Sequence, residues 1–232
     1  AAVAAIAAAG LLAAGLACWA IFSKGSSRQP PTGGGGAVVP VPEKVKVETL
    51  PPRPQSPYAV SKLAGEDYAI VFAKVYGLES IALRYFNIFG PRQDPESMYA
   101  AVIPRFATLL LEGKPPAIYG DGEQTRDFTH VENVVRANLL ALEAPPSACG
   151  AAYNIACGCA ISLNDLFRRM REQAGGQAAR IKPIHEPPKL GDVRSSLASI
   201  DAARNVLGYV PTVDVSEGIR LTMDWYRTQV AG

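Results

Sequence analysis

SPYAVSKLAGEDYAIVFAKVYGLESIALRYF, residues 56–86, reads as a helix followed by a buried strand. Ser56 can accept hydrogen bonds from the free N–H groups of a helix start, and Pro57 is pre-shaped for the first helical position. Helical spacing then runs to about Tyr76. Gly77 is the stop, because glycine tolerates the left-handed backbone that closes a helix. Glu79 to Phe86 (ESIALRYF) is rich in β-branched, aromatic and aliphatic residues and reads as a buried strand.

The same alternation continues downstream. Tyr99 to Leu111 reads as a helix closed by Gly113. Ala117-Ile118-Tyr119 is a short strand, and Gly120-Asp121-Gly122 a turn. Val131 to Leu142 is helical, and Ala152 to Ile155 is a short strand. Ser162 caps a helix to about Gln173. A last helix follows Asp214, with Ile219, Met223 and Tyr226 on one face. Strands alternating with helices imply an α/β layer fold. No internal repeat is present.

Upstream, the composition changes twice. Residues 1–22 (AAVAAIAAAGLLAAGLACWAIF) carry no charge, and about 20 apolar residues suffice to cross a bilayer as a helix. Lys24 and Arg28 follow, which favours a cytoplasmic placement of the downstream part. Three readings stay open: a membrane anchor or uncleaved signal, a helix of a missing domain, or a low-complexity artefact. Residues 23–49 read as a linker, with Gly33–Gly36 and prolines 30, 31, 40 and 42. Lys44-Val45-Lys46-Val47 alternates, as either a short strand or disordered chain. Residues 50–230 read as the globular part.

The 232 residues have a net charge of +2, too little to argue for a nucleic-acid partner. Cysteines stand at 18, 149, 157 and 159 and histidines at 130 and 185. Cys157 and Cys159 have no second pair at zinc-ligand spacing, so the expectation is reduced thiols, no metal and a cytoplasmic location.

Tyr58 and Lys62 are four residues apart, which places a phenol and an ammonium on one helix face. A free phenol has a pKa near 10 and is a poor base at neutral pH. A neighbouring cation favours the phenolate. Alone, a Tyr–Lys pair at this spacing is usually a solvated helix face. With a bound nicotinamide, it suits a base that takes a hydroxyl proton while hydride leaves the same carbon.

The surrounding residues narrow the choice. P-x-S-P-Y-A-V-S-K (54–62), L-R-Y-F-N-I-F-G-P-R-Q (83–93), Y-A-A-V-I-P-R-F (99–106), I-Y-G-D-G-E-Q-T-R-D-F-T-H-V (118–131) and G-D-V-R-S-S (191–196) occur in this order. Together they resemble the NAD-dependent nucleotide-sugar epimerases and dehydratases, the extended short-chain dehydrogenases, most closely the UDP-N-acetylglucosamine and UDP-glucose 4-epimerases. The resemblance implies an α/β fold: the C-terminal part of a Rossmann-type doubly wound sheet plus a small α/β substrate-binding domain. It implies NAD as cofactor, a UDP-sugar as substrate, and homodimers that pair helices through residues 58–76. Tyr58 is then the catalytic base, and Lys62 binds the nicotinamide ribose. Asn87 meets the sugar-phosphate end, and the segment of Val102 and Arg105 lies against uridine and phosphates. Arg126 and the region of Lys189, Asp192 and Arg194 contact the diphosphate, where planar guanidinium forks can grip phosphate oxygens in pairs. Arg126 has a second reading as a local ion pair with Asp127. Arg92 is an even-handed candidate, while Phe86 and Tyr119 read as core. Lys189 stands where the family often has Arg, which keeps the charge and loses the fork.

Two family features are missing. No G-x-x-G-x-x-G or G-x-G-x-x-G motif stands near the start to hold a pyrophosphate. The Ser or Thr expected upstream of the tyrosine has only Ser26, Ser27 and Thr32 as candidates, Thr32 nearest in spacing. Three activities therefore remain: NAD-dependent 4-epimerisation through a 4-keto sugar, dehydration or decarboxylation by the same dyad, or an epimerase-like module without redox activity. A parallel sheet lacking its first strands exposes an edge and an apolar face. The chain is accordingly expected to be marginally stable or aggregation-prone, and a cooperative, reversible melt of all 232 residues would count against that expectation.

Overall fold

The computed structural model describes residues 45–54, 56–96, 102–188 and 193–230. Residues 1–22, on which the anchor reading rests, lie outside them. So do Cys18, Ser26, Ser27, Thr32, Lys189 and Asp192. Among the described residues no helix is long and apolar enough to cross a membrane.

Helix α1 spans Pro57–Tyr76. The Ser56 hydroxyl accepts from the Ala59 amide at 3.1 Å, and Gly77 (φ 68°) closes the helix in the left-handed conformation. Strand β1 (Ala82–Tyr85) follows, shorter than the run Glu79–Phe86, and pairs in parallel with β6 (Ala152–Ile155). Next come β2 (Ile88–Phe89), α2 (Val102–Leu111), β3 (Ala117–Tyr119), β4 (Thr125–Arg126) and β5 (Thr129–His130). Helix α3 covers Val131–Leu142, and its cap is the His130 ring, which accepts from the Glu132 amide. Strand β7 (Ile161–Ser162) leads into α4 (Leu163–Ala174), capped by Ser162 as expected. Strand β8 (Ile184–Glu186), α5 (Asp201–Leu207) and α6 (Val215–Val230) complete the described chain.

The pairs β1–β6, β2–β5 and β3–β8 are parallel, and β4–β7 is antiparallel. This is an α/β layering with crossover connections. Lys46, read from composition as linker, forms a parallel bridge to Ala198, with its amide 2.8 Å from the Leu197 carbonyl. Packed structure thus reaches back to Lys46.

Two apolar cores lie side by side. One is built by α2, α4 and α6 around Phe89, Ile118 and Phe128. Ile219, Met223 and Tyr226 of α6 all face into it, as their spacing requires. The second joins β1 and β6 to α3 and α5 around Phe86, Ile155 and Tyr209. Phe86 is fully buried, in line with its reading as core, while Tyr119 is half-buried. At the Gly120–Gly122 turn, Gly122 has φ 77°, and a Cβ there would run into the Asn164 amide. Only glycine fits.

Ile219→Ala removes a fully buried side chain between three helices and should cost about 2–5 kcal/mol in urea denaturation. Leu139→Ala, at a position 56% exposed on α3, should stay within about 0.5 kcal/mol.

Candidate functional site

Helix α1 runs back along β1. Ala69 meets Ser80, whose hydroxyl donates to the Ala69 carbonyl at 2.7 Å, and Glu66 meets Arg84 through two hydrogen bonds. The two elements are therefore antiparallel. Tyr58 lies two helical turns before Glu66, about 12 Å along the axis at 1.5 Å per residue. Asn87 lies three residues beyond Arg84, about 10 Å on in the same direction. Both reach toward the C-terminal end of β1, the end where ligands bind in open α/β sheets.

On the first turns of α1 the Lys62 Nζ stands 5.2 Å from the centroid of the Tyr58 ring. Both side chains are half-buried. The expected juxtaposition of ammonium and phenol is present.

Asn87 follows β1 with φ 35°, and its Nδ2 donates to the Asp127 carbonyl at 2.8 Å. Asparagine tolerates this backbone better than most residues. Its Oδ1 holds no hydrogen bond among the described residues. Arg92, on the same connection, also has positive φ (67°) and is exposed. Two non-glycine residues in this conformation within six positions mark a segment held by its surroundings.

Arg126, in β4, donates through Nη1 to the carbonyls of Thr125 and Val193 at 2.7 and 2.6 Å. The Thr125 amide donates to the Arg194 carbonyl at 2.9 Å. The Arg126 guanidinium and the Arg194 backbone thus meet the same strand, and Asn87 is anchored one residue beyond Arg126. Arg194 is exposed and pairs with Asp121 at 2.7 Å, which holds the Asp121 carboxyl below its ordinary range. Such an exposed pair contributes little stability and can be exchanged for another anion.

Asp127 does not pair with Arg126. It lies in the β4–β5 connection, where its carboxylate accepts from the amides of Cys157 (3.0 Å), Gly158 (3.1 Å) and Ala198 (3.3 Å). Burial pushes this carboxyl up to about 7, against the downward pull of the amide donors. Burial also raises the Cys157 thiol, to about 12, with the Asp127 charge adding to it.

Val102 opens α2 and packs against the first core. Arg105 is exposed on the same helix, with no hydrogen bond or ion pair among the described residues. An open depression of about 410 Å3, lined by Cys157, Cys159, Ile200, Arg204, Pro211, Thr212 and Asp214, includes none of the expected site residues. The sequence offered Asp127 only as an ion-pair partner of Arg126 and gave Glu66 and Arg84 no role. The one available signal was a charged residue, Arg84, inside an otherwise apolar strand.

The family model for NAD dependent epimerases and dehydratases matches residues 21–156. The chain belongs to this family. The UDP-glucose 4-epimerase of Mycolicibacterium smegmatis is 37% identical over 199 residues, covering 85% of this chain and 62% of that protein. The structure of Thermotoga maritima UDP-glucose 4-epimerase with UDP-glucose is 40% identical, with a TM-score of 0.74 over 81% of this chain and 60% of that one. UDP-N-acetylglucosamine 4-epimerase from Methanobrevibacter ruminantium M1, in complex with UDP-N-acetylmuramic acid, is 38% identical, with a TM-score of 0.75 over 82% and 59%. These neighbours have Rossmann-like folds, and the α/β reading agrees with them. The chain spans about three fifths of the length of the curated relatives it matches.

A carboxyl that ionises near 7 when folded, and near 3.9 when unfolded, binds a proton only in the folded state between those values. The Asp127 contribution to folding stability should therefore fall as pH rises from about 4 to about 7, while His130, whose pKa burial lowers, contributes in the opposite sense. Denaturant titrations should show stability falling with pH more in the wild type, or rising less, than in Asp127→Asn. Equal slopes in both proteins would contradict the assignment.

Proposed function

We propose that this chain is the base-bearing and substrate-binding part of a UDP-sugar 4-epimerase. The observation that carries the reading is the Lys62 ammonium held 5.2 Å from the Tyr58 ring, at the end of β1 where Asn87 follows.

Tyr58 and Lys62 fit the nicotinamide-ribose end of NAD: a half-buried cation beside a phenol can hold a ribose hydroxyl while favouring the phenolate. NAD, when bound, supplies a reversible hydride acceptor for the sugar carbon. Tyr58 takes the proton of the sugar C4 hydroxyl as the carbonyl forms, and returns it to the same oxygen once the sugar has turned. Asn87, with a free amide oxygen among the described residues, orients the sugar-phosphate end. Arg126 and Arg194 grip the diphosphate, Arg194 by exchanging Asp121 for phosphate. Val102 and Arg105 flank the uridine, and Lys189 and Asp192 complete the phosphate side. A 4-keto sugar is the shared intermediate from which dehydration or decarboxylation also proceeds.

A second reading is a module that holds UDP-sugar without turning it over. Incubation with NAD and UDP-glucose, read by nucleotide-sugar chromatography, separates the two. Formation of UDP-galactose that falls about 10²–10⁴-fold in Tyr58→Phe, and sharply in Lys62→Met, supports the epimerase reading. UDP binding without turnover supports the second. Turnover that survives Tyr58→Phe unchanged removes Tyr58 from the chemistry.

A further inference from the structure

We propose that Glu66 and Arg84 form the positioning pair of the Tyr58–Lys62 dyad: their ion pair fixes the roll of α1 about its own axis and so sets where phenol and ammonium point. The proposal rests on the reading of Tyr58 as the base.

Among the described residues α1 turns only a narrow strip to the fold, with Leu63, Ile70 and Ala73 half-buried along it. Of its 20 residues only Glu66 and Ala69 are buried, and an apolar row of Tyr68, Phe72 and Tyr76 faces outward. The Ser80 bond to the Ala69 carbonyl is a single contact to the helix backbone and sets its height. Roll needs a contact made off the axis by a rigid group. Arg84 supplies one: its Nε donates to Glu66 Oε2 at 2.8 Å and its Nη2 to Glu66 Oε1 at 2.6 Å, a two-point fork that fits one orientation of the carboxylate. Both side chains are 7% exposed.

Arg84 is itself fixed. Its Nη1 donates to the Glu48 carbonyl at 3.1 Å. The Glu48 carboxylate accepts from the amide of Asn154, the β6 residue in register with Arg84, at 2.8 Å. The Asn154 side chain in turn donates to the carbonyls of Lys46 and Ser199 at 3.0 and 3.2 Å. The fork is thus referenced to β1, β6 and the chain that follows Arg194. Glu66 lies one turn beyond Lys62 and two beyond Tyr58, on the same side of the helix. A roll of about 20° carries a group about 6 Å from the helix axis through about 2 Å. Displacements of about 1 Å already cost catalysis about 100-fold.

A buried ion pair adds little net stability over apolar residues of similar size, so its roles in folding and in positioning can be separated. Tyrosine labelled with 13C at Cζ, assigned through Tyr58→Phe, lets the Tyr58 phenol be titrated by NMR in the full chain. The variants are Lys62→Met, Arg84→Lys, and the double change Glu66→Met with Arg84→Met, with the amide spectrum of α2–α6 reporting the fold. Lys62→Met should raise the phenol midpoint. The proposal predicts that Arg84→Lys and the double variant raise it by at least half as much, with the α2–α6 spectrum unchanged. A shift in Lys62→Met with none in either of the others overturns the positioning role and leaves the dyad reading standing. No shift in Lys62→Met removes the dyad reading and this proposal with it. Should the double variant not fold, Arg84→Lys decides, since it keeps the charge and loses only the fork.

Discussion

The Asp127 carboxylate has no access to water and must find its donors inside the protein. It finds them in three backbone amides, those of Cys157, Gly158 and Ala198. One acidic side chain thereby ties the β4–β5 connection to the loop after β6 and to the segment that enters α5. Its own carbonyl accepts from Asn87, which fixes the turn after β1. Arg126 and Asp127 are neighbours in sequence and face opposite ways: the carboxylate holds the scaffold, and the guanidinium faces the Val193–Arg194 segment. The site's polar patch is assembled from pieces that no single element supplies, and this buried carboxylate is where they meet.

The dyad is held differently. Helix α1 presents Tyr58 and Lys62 at one end while only Glu66 and Ala69 are buried along its length. Among the described residues its polar contacts to the β1 region are the Glu66–Arg84 fork and the Ser80 bond to the Ala69 carbonyl. On the reading proposed above, the apolar cores carry stability elsewhere while these directional bonds set the geometry of Tyr58 and Lys62.

Much of the fold could be read locally. Ser56-Pro57, Gly77, Ser162 and the α6 face of Ile219, Met223 and Tyr226 follow rules that act within a few residues, and the structure places them where those rules do. The two-residue strands β2, β4, β5 and β7 follow no such rule; they are strands because distant segments pair with them. Strand β8 sits in a run of prolines and charges with all three residues exposed, and α5 starts without a side-chain cap, so neither carries a local signature. In the site, the Tyr58–Lys62 pair was legible because four-residue spacing fixes a helix face. The Glu66–Arg84 pair spans 18 positions and the bonds of Asp127 about 30 to 71, separations at which sequence alone names no partner. The alternative reading of Arg126–Asp127 as a local ion pair fails because the Asp127 carboxylate is taken up by the amides of Cys157, Gly158 and Ala198.

Membership of the NAD dependent epimerase/dehydratase family accounts for the order of the motifs, and the structure holds a phenol beside its cation on α1 and Arg126 against the Val193 carbonyl. A crystal structure of the chain with UDP-glucose tests that assembly most directly. The account predicts the diphosphate against Arg126 and Arg194, with Arg194 turned from Asp121, and the sugar within hydrogen-bond reach of the Tyr58 hydroxyl. A diphosphate bound instead over the depression of Cys157 and Cys159, or a sugar beyond the reach of Tyr58, would contradict it.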